Sequence, residues 1–370
     1  MNRIRHIDGL RGVFALAVAL MHLNKQLIVP GAYLAVDFFF VLSGFILSYV
    51  YLPRINQMTH FDFIRARLSR LWPLHMATLL FYVIINSATY YAMNGGFRLH
   101  PNWKGNDFSS FFENVFLIHN IGFQETLTWN YPSWSISVEF WVNVFLFAVL
   151  AALLKSDLRS KMVIWLVAIV FFCYVMLEVN LPHLGSKVGI ISQFGYVFNA
   201  GLLRGFGGIF LGVLVYLLTA RMDARRTIAP IPNVIKNILE VLLISIVFYF
   251  IFVQYNKETD ITAVFVFALL LTSLSIGQKT ILAHILSIKP LTYLGMISYS
   301  IYLCHAPILQ FFKRWELFFG DGFSDWTVAV IFTVVTILIS TFAYYLIEKP
   351  GKNVFLKFWD SAFKREAKIS

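Results

Sequence analysis

Apolar residues recur along this chain in ten long segments separated by polar connections. Each segment is close to the roughly 20 residues that an α-helix needs to cross a lipid bilayer. Lipid offers no partners to backbone N–H and C=O groups, so a segment that crosses it should be helical. The pattern therefore predicts an all-α polytopic membrane protein with about ten transmembrane helices. The predicted spans cover residues 9–28, 32–52, 71–93, 132–154, 162–179, 200–220, 234–254, 261–277, 290–312 and 326–347.

Two stretches depart from this regular pattern. Residues 188–203 are apolar ahead of the glycine-rich run that begins at Arg204, so the sixth helix is either broken or preceded by a re-entrant segment. Residues 115–123 form an apolar stretch that is too short to cross. We expect this short stretch to lie at the outer membrane interface, where it would carry His119.

Composition agrees with the membrane assignment and excludes several other classes. Hydrophobic residues make up 59% of the 370 residues and charged residues only 13%, which excludes an ordinary soluble protein. The net charge is +11, but the cations lie between the apolar segments, so we expect no nucleic-acid partner. Cys173 and Cys304 are the only cysteines, and both lie in apolar segments. They indicate neither a disulfide framework nor a metal site, and we expect no bound metal.

The charges in the connections predict the orientation of the chain. Lysine and arginine are concentrated after the second, fourth, sixth, eighth and tenth spans, and the other connections are short or contain acidic residues. Basic connections stay in the cytoplasm, which places both termini there. We expect one transmembrane domain over residues 1–350 and a short basic cytoplasmic tail over 351–370. The first span lacks a signal-peptide cleavage site and should be retained.

Arg11 and His22 share one face of the first predicted helix. Their separation in sequence corresponds to about three helical turns, which places the two side chains in line and roughly 16 Å apart. Ionisable groups in a lipid-bounded helix are costly unless they face protein or water, which makes them candidate functional residues. The alternative for Arg11 is that it only extends to the lipid headgroups.

Four ionisable residues on four predicted helices fall at similar depths. They are His22, Asp37, Glu139 and His305, and the depths follow from their distances to the ends of their spans. We predict that they line a polar cavity in the outer half of the membrane and that His22 meets Asp37. The alternative for Glu139 and for His305 is a structural hydrogen bond.

Arginines mark the inner side. Arg67 and Arg70 precede the third span on adjacent helical turns, and Arg11 reaches the same side. Planar guanidinium groups suit phosphate recognition, because they form charge-assisted bidentate bonds. The alternative is ordinary cytoplasmic positive charge. Together with the outer histidine, the arginines suit a cytoplasmic phosphorylated donor whose reactive end is passed across the membrane to an outer acceptor.

Six ordered motifs lie along the chain: Ile7–Gly12 with His22, Val36–Phe45, the arginine-rich run ending in Trp72–Pro73, Trp134–Glu139, Ile297–Leu303 and Ile347–Pro350. With these motifs the sequence resembles the membrane acyltransferase-3 family, which comprises bacterial O-acyltransferases with ten predicted spans. The resemblance covers nearly the whole chain. One departure is that members often carry adjacent arginines three residues before the last arginine of this run, where this chain has Ala66 at the first of the two places and Arg65 shifted by one. Many members also append a soluble esterase-like domain, which we do not expect here.

The resemblance implies acyl-CoA as donor substrate, with no permanently bound cofactor, and transfer, most often of acetyl, to a hydroxyl group. It implies essential roles for Arg11, His22 and the arginine cluster. As a mechanism we expect His22, oriented by Asp37, to take the proton of the acceptor hydroxyl. In a second version, His22 or a serine such as Ser43 carries the acyl group briefly.

The remaining candidates divide between donor and acceptor. Arg11, Arg67 and Arg70 are expected to bind the phosphates of the donor, although which arginine contacts it stays open. The residues expected on the acceptor side or lining the cavity are Glu139, Arg204, His305, Ser298 and Tyr302.

The identity of the acceptor stays open. We expect a cell-envelope carbohydrate, such as O-antigen or exopolysaccharide, at the bacterial inner membrane, with no obligatory protein partner beyond the lipid bilayer. A macrolide or a glycolipid is the alternative acceptor. A proton-coupled transporter is the alternative of another class, because it also places His, Asp, Glu and Arg in the membrane. No inverted repeat is apparent in the span pattern, which disfavours the transporter. Acyl chain length and oligomeric state also stay open.

Overall fold

The computed structural model of the chain describes residues 4–23, 29–94, 106–122, 126–155, 162–184, 193–194, 198–225, 232–253, 260–276, 280–319 and 324–363. These residues are almost entirely helical. The α-helices are α1 (Arg5–Leu23), α2 (Ala35–Tyr51), α3 (His60–Asn94), α4 (Phe108–Val115), α5 (Trp134–Lys155), α6 (Met162–Leu184), α7 (Ala200–Arg225), α8 (Asn233–Phe252), α9 (Asp260–Ser275), α10 (Ile281–Leu286), α11 (Lys289–Met296), α12 (Ser298–Phe319), α13 (Asp325–Ala343) and α14 (Lys349–Phe363).

Shorter elements connect these helices. Three 3-10 helices cover Ala32–Leu34, Leu52–Gln57 and Tyr131–Ser133, and a π-helical turn at Tyr344–Glu348 joins α13 to α14. Strands β1 (Gln193–Phe194) and β2 (Phe198–Asn199) pair antiparallel just before α7.

The prediction of an all-α polytopic membrane protein is confirmed. In the part of the chain that the structure describes, seven helical stretches are long and apolar enough to cross a membrane, and two shorter apolar helices lie in α6 and α9. Each of the ten predicted spans overlaps one of the helices α1, α2, α3, α5, α6, α7, α8, α9, α12 or α13. The periodic apolar pattern was therefore a sound guide to where the helices lie.

Two helices differ from their predicted bounds. Helix α3 begins at His60, well before the apolar segment that starts near residue 71, so the arginine-rich run is helical and belongs to the bundle. The ninth predicted span is interrupted, because α11 ends at Met296 and α12 starts at Ser298. Hydropathy alone misses the early start of α3, because the side chains of its charged turns pair within the protein. It also misses the break between α11 and α12, because the segment is apolar on both sides of the break.

Helices α2 and α7 pack with unusually close backbones. A Cβ atom added at Gly44 would lie 1.8 Å from the carbonyl oxygen of Ile209, and one added at Gly212 would lie 1.9 Å from that of Val41. Small residues allow helices to approach this closely in membranes, where packing and hydrogen bonds replace the hydrophobic effect. The contact fixes the register of α2 against α7 and brings Asp37 beside Arg204.

Helix α1 lies inside the bundle. It packs against α11, α12 and α2, and more than half of its residues are buried. Arg11 and His22 are both half-buried, and Arg11 contacts Asp8 one turn earlier in the same helix. The alternative that Arg11 only extends to the headgroups stays untested.

The two irregular stretches have different outcomes. Helix α7 runs without a break from Ala200 to Arg225, so the sixth helix is not broken. Residues 185–192 and 195–197 lie outside the described part, and a re-entrant segment there stays untested. Between α4 and α5, His119 is buried and its ring stacks on that of His75 at 5.9 Å between centroids. The position of this stretch at the outer membrane interface stays a prediction.

Part of the predicted basic tail is helical. Helix α14 continues from the π-helical turn and packs along the first turns of α3, with a 2.7 Å ion pair between Asp360 and Arg65. Residues 364–370 of the predicted tail lie outside the described residues.

Candidate functional site

A cavity of about 350 Å³ lies between helices α1, α2, α3, α5 and α12. Its lining combines apolar side chains with charged and hydroxyl groups, among them Arg11, Arg67, Arg70, Glu139, Ser298 and Tyr302. The volume is at the lower end of the range of small-molecule sites. The cavity thus joins the three arginines predicted to bind the donor and three residues predicted on the acceptor side or lining the cavity.

Arg67 and Glu139 form the central polar contact of the cavity. A guanidinium nitrogen of Arg67 donates to Glu139 Oε1 at 2.5 Å, and Ser43 Oγ donates to the same oxygen at 2.7 Å. The side-chain amide of Asn143 donates in turn to Ser43 Oγ at 3.1 Å. Glu139 was predicted to line one polar cavity with His22, but Glu139 lines this cavity and His22 does not. Because α3 begins at His60, Arg67 lies inside the bundle and can neutralise Glu139.

The arginines around the cavity differ in how they are paired. Arg11 donates to Asp8 Oδ1 at 3.2 Å, and Arg65 pairs with Asp360 away from the cavity lining. Arg70 lines the cavity, is exposed, and makes no hydrogen bond or ion pair with any residue that the structure describes. Arg70 therefore has the guanidinium group most available to an anionic ligand.

A half-buried carboxylate near these arginines, that of Glu348, was not predicted as a site residue, although it lies in the Ile347–Pro350 motif. Glu348 accepts a 2.6 Å hydrogen bond from Ser300, and its charge acts on Arg70 and Arg11. An available signal was an ionisable residue directly following the last apolar segment. Glu348 therefore belongs to the electrostatic surroundings of the cavity.

Hydroxyl groups close the far end of the cavity. Ser135 Oγ and the Tyr302 hydroxyl share a 2.8 Å hydrogen bond, and Tyr302 also donates to the Pro132 carbonyl at 3.0 Å. The ring of Tyr302 lies 5.9 Å from that of His305. Tyr302 therefore separates the cavity from the histidines behind it.

His22 lies beyond this end and does not line the cavity. Its Nδ1 is 2.9 Å from the Val18 carbonyl, one turn earlier in α1. A carbonyl can only accept, so Nδ1 carries the hydrogen and neutral His22 presents Nε2 as a free lone pair. The rings of His305 and Tyr131 lie 5.0 and 5.2 Å from that of His22.

The predicted pairing of His22 with Asp37 is wrong. Asp37 accepts hydrogen bonds from Arg204 Nε at 2.9 Å and Nη2 at 2.6 Å, and the Arg204 guanidinium also lies 5.5 Å from the centre of the Trp134 ring. A buried carboxylate is stabilised best by a bidentate cation, which an imidazole cannot supply. Arg204 and His305, predicted on the acceptor side or in the cavity lining, do not line this cavity.

No group of three or more His, Cys, Asp or Glu side chains within the described ranges is arranged to hold a metal ion.

Comparisons with known proteins show which family and which relatives this chain resembles. The sequence matches the profile of acyltransferase family 3, described as an acyltransferase domain, over residues 4–345. A candidate peptidoglycan O-acetyltransferase of Bacillus subtilis is 26% identical over 363 aligned positions, covering 93% of this chain and 54% of that protein. A candidate O-acetyltransferase of Staphylococcus aureus is 25% identical over 375 positions, covering 96% and 58%.

A peptidoglycan O-acetyltransferase of Listeria monocytogenes is 24% identical over 374 aligned positions, covering 95% of this chain and 56% of that protein. The chain thus spans between half and two thirds of the length of these three relatives. No solved structure gives a significant match.

Proposed function

Because this chain belongs to the acyltransferase-3 family, we propose that it transfers an acyl group, most simply acetyl, from acyl-CoA to a hydroxyl group of a cell-envelope carbohydrate. The reaction takes place in a bacterial inner membrane, with both termini and the donor on the cytoplasmic side. The observation that carries the proposal is the cavity in which Arg11, Arg67 and Arg70 meet.

The donor binds through its phosphates at the arginines. Arg70 makes no hydrogen bond or ion pair with any described residue, whereas Glu139 neutralises Arg67 and Asp8 contacts Arg11. Arg70 is therefore the first phosphate contact. A cavity of about 350 Å³ suits the slender thioester arm of the donor, with the nucleotide held at the mouth.

His22 acts as the base. The Val18 carbonyl fixes the tautomer that exposes Nε2, which is the role that a carboxylate fills in a Ser-His-Asp triad. The acceptor oxygen attacks the thioester carbonyl, the C–S bond breaks, and the hydroxyl proton passes to Nε2 before it reaches the departing sulfur.

Because Tyr302 stands between the cavity and His22, transfer in two stages is the second version. In it Ser43, which lines the cavity and donates to Glu139, carries the acyl group to the acceptor site. Steady-state kinetics separate the versions, since parallel double-reciprocal lines require the acyl-enzyme and intersecting lines exclude the simple two-stage scheme.

The names of the relatives bear on the acceptor. Those from Bacillus subtilis and Listeria monocytogenes are named for peptidoglycan, which adds a wall glycan to the O-antigen and exopolysaccharide acceptors expected from the sequence. All three are carbohydrates with free hydroxyl groups. A macrolide or glycolipid acceptor is the alternative.

The test is radiolabel transfer. Inside-out membrane vesicles containing the protein are incubated with acetyl-CoA labelled in the acetyl group, and the products are treated with mild base. Base-labile label in a glycan fraction supports the proposal. A proton-coupled transporter leaves no label on any acceptor, and label confined to lipid or small molecules shifts the acceptor class.

A further inference from the structure

Two histidines from separate helices meet behind the cavity. The ring centroids of His22 on α1 and His305 on α12 are 5.0 Å apart, with the planes tilted by 38°. Tyr131 lies against His22 and Tyr302 against His305. The two imidazoles therefore share one largely aromatic environment.

Both rings are held in the same way. His22 Nδ1 lies 2.9 Å from the Val18 carbonyl, and His305 Nδ1 lies 2.6 Å from the Tyr302 carbonyl. Each carbonyl can only accept, so both Nδ1 atoms carry hydrogen and both neutral rings present Nε2 as an acceptor. Two neighbouring acceptors cannot bond to each other.

The imidazole of His305 contains a buried nitrogen that makes no hydrogen bond to any described residue. His305 is completely buried, and its Nε2 has no hydrogen-bond partner. A buried polar atom without a partner is costly, and such atoms are uncommon outside functional sites. One added proton removes the cost, because a protonated Nε2 of one ring can donate to the free Nε2 of the other. The two Nε2 atoms are not hydrogen-bonded to each other in the structure. Two imidazoles joined end to end by one N–H···N bond have their ring centres about 5 Å apart, which is close to the 5.0 Å between these two rings.

Among the described residues, no carboxylate is hydrogen-bonded to His22, so none would stabilise its protonated form directly. Asp37 is bound to Arg204, and no acidic side chain among the described residues hydrogen-bonds either histidine. The titratable groups that contact the pair are Tyr131 and Tyr302, and the charge of Lys313 acts on His22 from the same helix as His305. Among the described residues, the base that contacts His22 is His305.

We propose that His22 and His305 share one proton during acyl transfer, with His305 as the positioning residue that accepts a hydrogen bond from protonated His22. This inference rests on the proposed function. The hydroxyl proton moves to His22 Nε2 as the C–O bond forms. The Nε2–H of His22 then turns from the acceptor oxygen to His305 Nε2 while the C–S bond breaks, and from there the proton passes to the thiolate, which leaves both rings neutral. His305 lowers the cost of a transient cation in an apolar site, where charge is otherwise expensive.

The test compares His305→Phe, which removes the acceptor, with His305→Gln, whose amide oxygen can accept the same bond. Rates of base-labile label transfer are measured in inside-out vesicles with labelled acetyl-CoA, at several acetyl-CoA concentrations and with the same pH on both faces. His284→Phe, at an exposed position on α10, is the matched control. Protein amount and melting temperature are measured for each variant.

We expect His305→Phe to lower kcat about tenfold or more with little change in KM for acetyl-CoA. The acid limb of the rate profile should move to lower pH, because protonated His22 has lost its acceptor. His305→Gln should recover part of kcat, and the control should match the wild type. An unchanged kcat and pH profile in His305→Phe overturns the inference, and so does a loss that follows protein amount without a pH shift.

The two proposals fail in different ways. If label transfer requires His22 but not His305, the shared proton is disproved and the proposed function stands. If vesicles with the wild-type protein transfer no label, both the proposed function and this inference are disproved.

Discussion

Asp37 and Arg204 form a buried ion pair in which both carboxylate oxygens accept a hydrogen bond, at 2.9 and 2.6 Å. Their side chains are 3% and 13% exposed. The pair joins α2 to α7 at the same face as the Gly44 and Gly212 contacts. Asp37 therefore belongs to the packing of these helices rather than to the base.

This assignment predicts a stability defect for Asp37→Asn. The substitution leaves a buried guanidinium without its counter-charge, which costs about 3–5 kcal/mol. The melting temperature in detergent should fall clearly. The double variant Asp37→Leu, Arg204→Met should recover most of the loss, because an apolar pair of similar size replaces a buried ion pair at little cost. A single variant that melts normally but is inactive would return Asp37 to the catalytic machinery.

The unequal pairing of the arginines predicts unequal effects on donor affinity. Arg70→Ala should raise KM for acetyl-CoA on the order of tenfold or more, because it removes a charged phosphate contact. Arg65→Ala, the matched control on the same helix, should leave KM within about twofold, since Arg65 pairs with Asp360 outside the cavity lining. The reverse order of effects would move the donor site to the other face of α3. Initial rates against acetyl-CoA concentration decide between them.

The low pKa of the buried His119 predicts how the stability of the protein responds to acid. Burial, with a smaller contribution from the neighbouring His75, lowers the pKa of His119 to about 3. The unfolded chain takes up this proton near pH 6.5, whereas the folded protein does not. Stability is therefore fully present above pH 6.5 and falls by about 1.4 kcal/mol per pH unit below it, down to about pH 3.

The matched variant is His119→Gln, which cannot take up the proton. Melting temperatures in detergent between pH 8 and pH 5 should fall more steeply for the wild type than for this variant. Parallel curves would show that His119 is charged in the folded protein.

Much of the fold was predictable from the sequence, because membrane helices can be identified by their length and hydropathy. The charged first turns of α3 were not visible in this way, and their omission misplaced Arg67 relative to Glu139. The spacing of Arg11 and His22 placed both side chains on one face of α1, and that helix lies inside the bundle.

The partners of the buried charges were less predictable. Depth along a span does not say which way a side chain points around its helix, so Asp37 could be placed level with His22 but not assigned to Arg204. That contact depends on how closely α2 and α7 pack. The orientation of His22 depends on the carbonyl of Val18, and a backbone partner leaves no mark in the sequence.

The role of His22 as the base is the central claim, and label transfer by His22→Gln tests it most directly. Inside-out vesicles with equal amounts of wild-type or variant protein are given labelled acetyl-CoA, and base-labile glycan label and bound acetyl-CoA are measured together. The account predicts glycan label with the wild type, none above background with the variant, and unchanged acetyl-CoA binding, because Arg11, Arg67 and Arg70 remain. A variant that labels the glycan at the wild-type rate would contradict it.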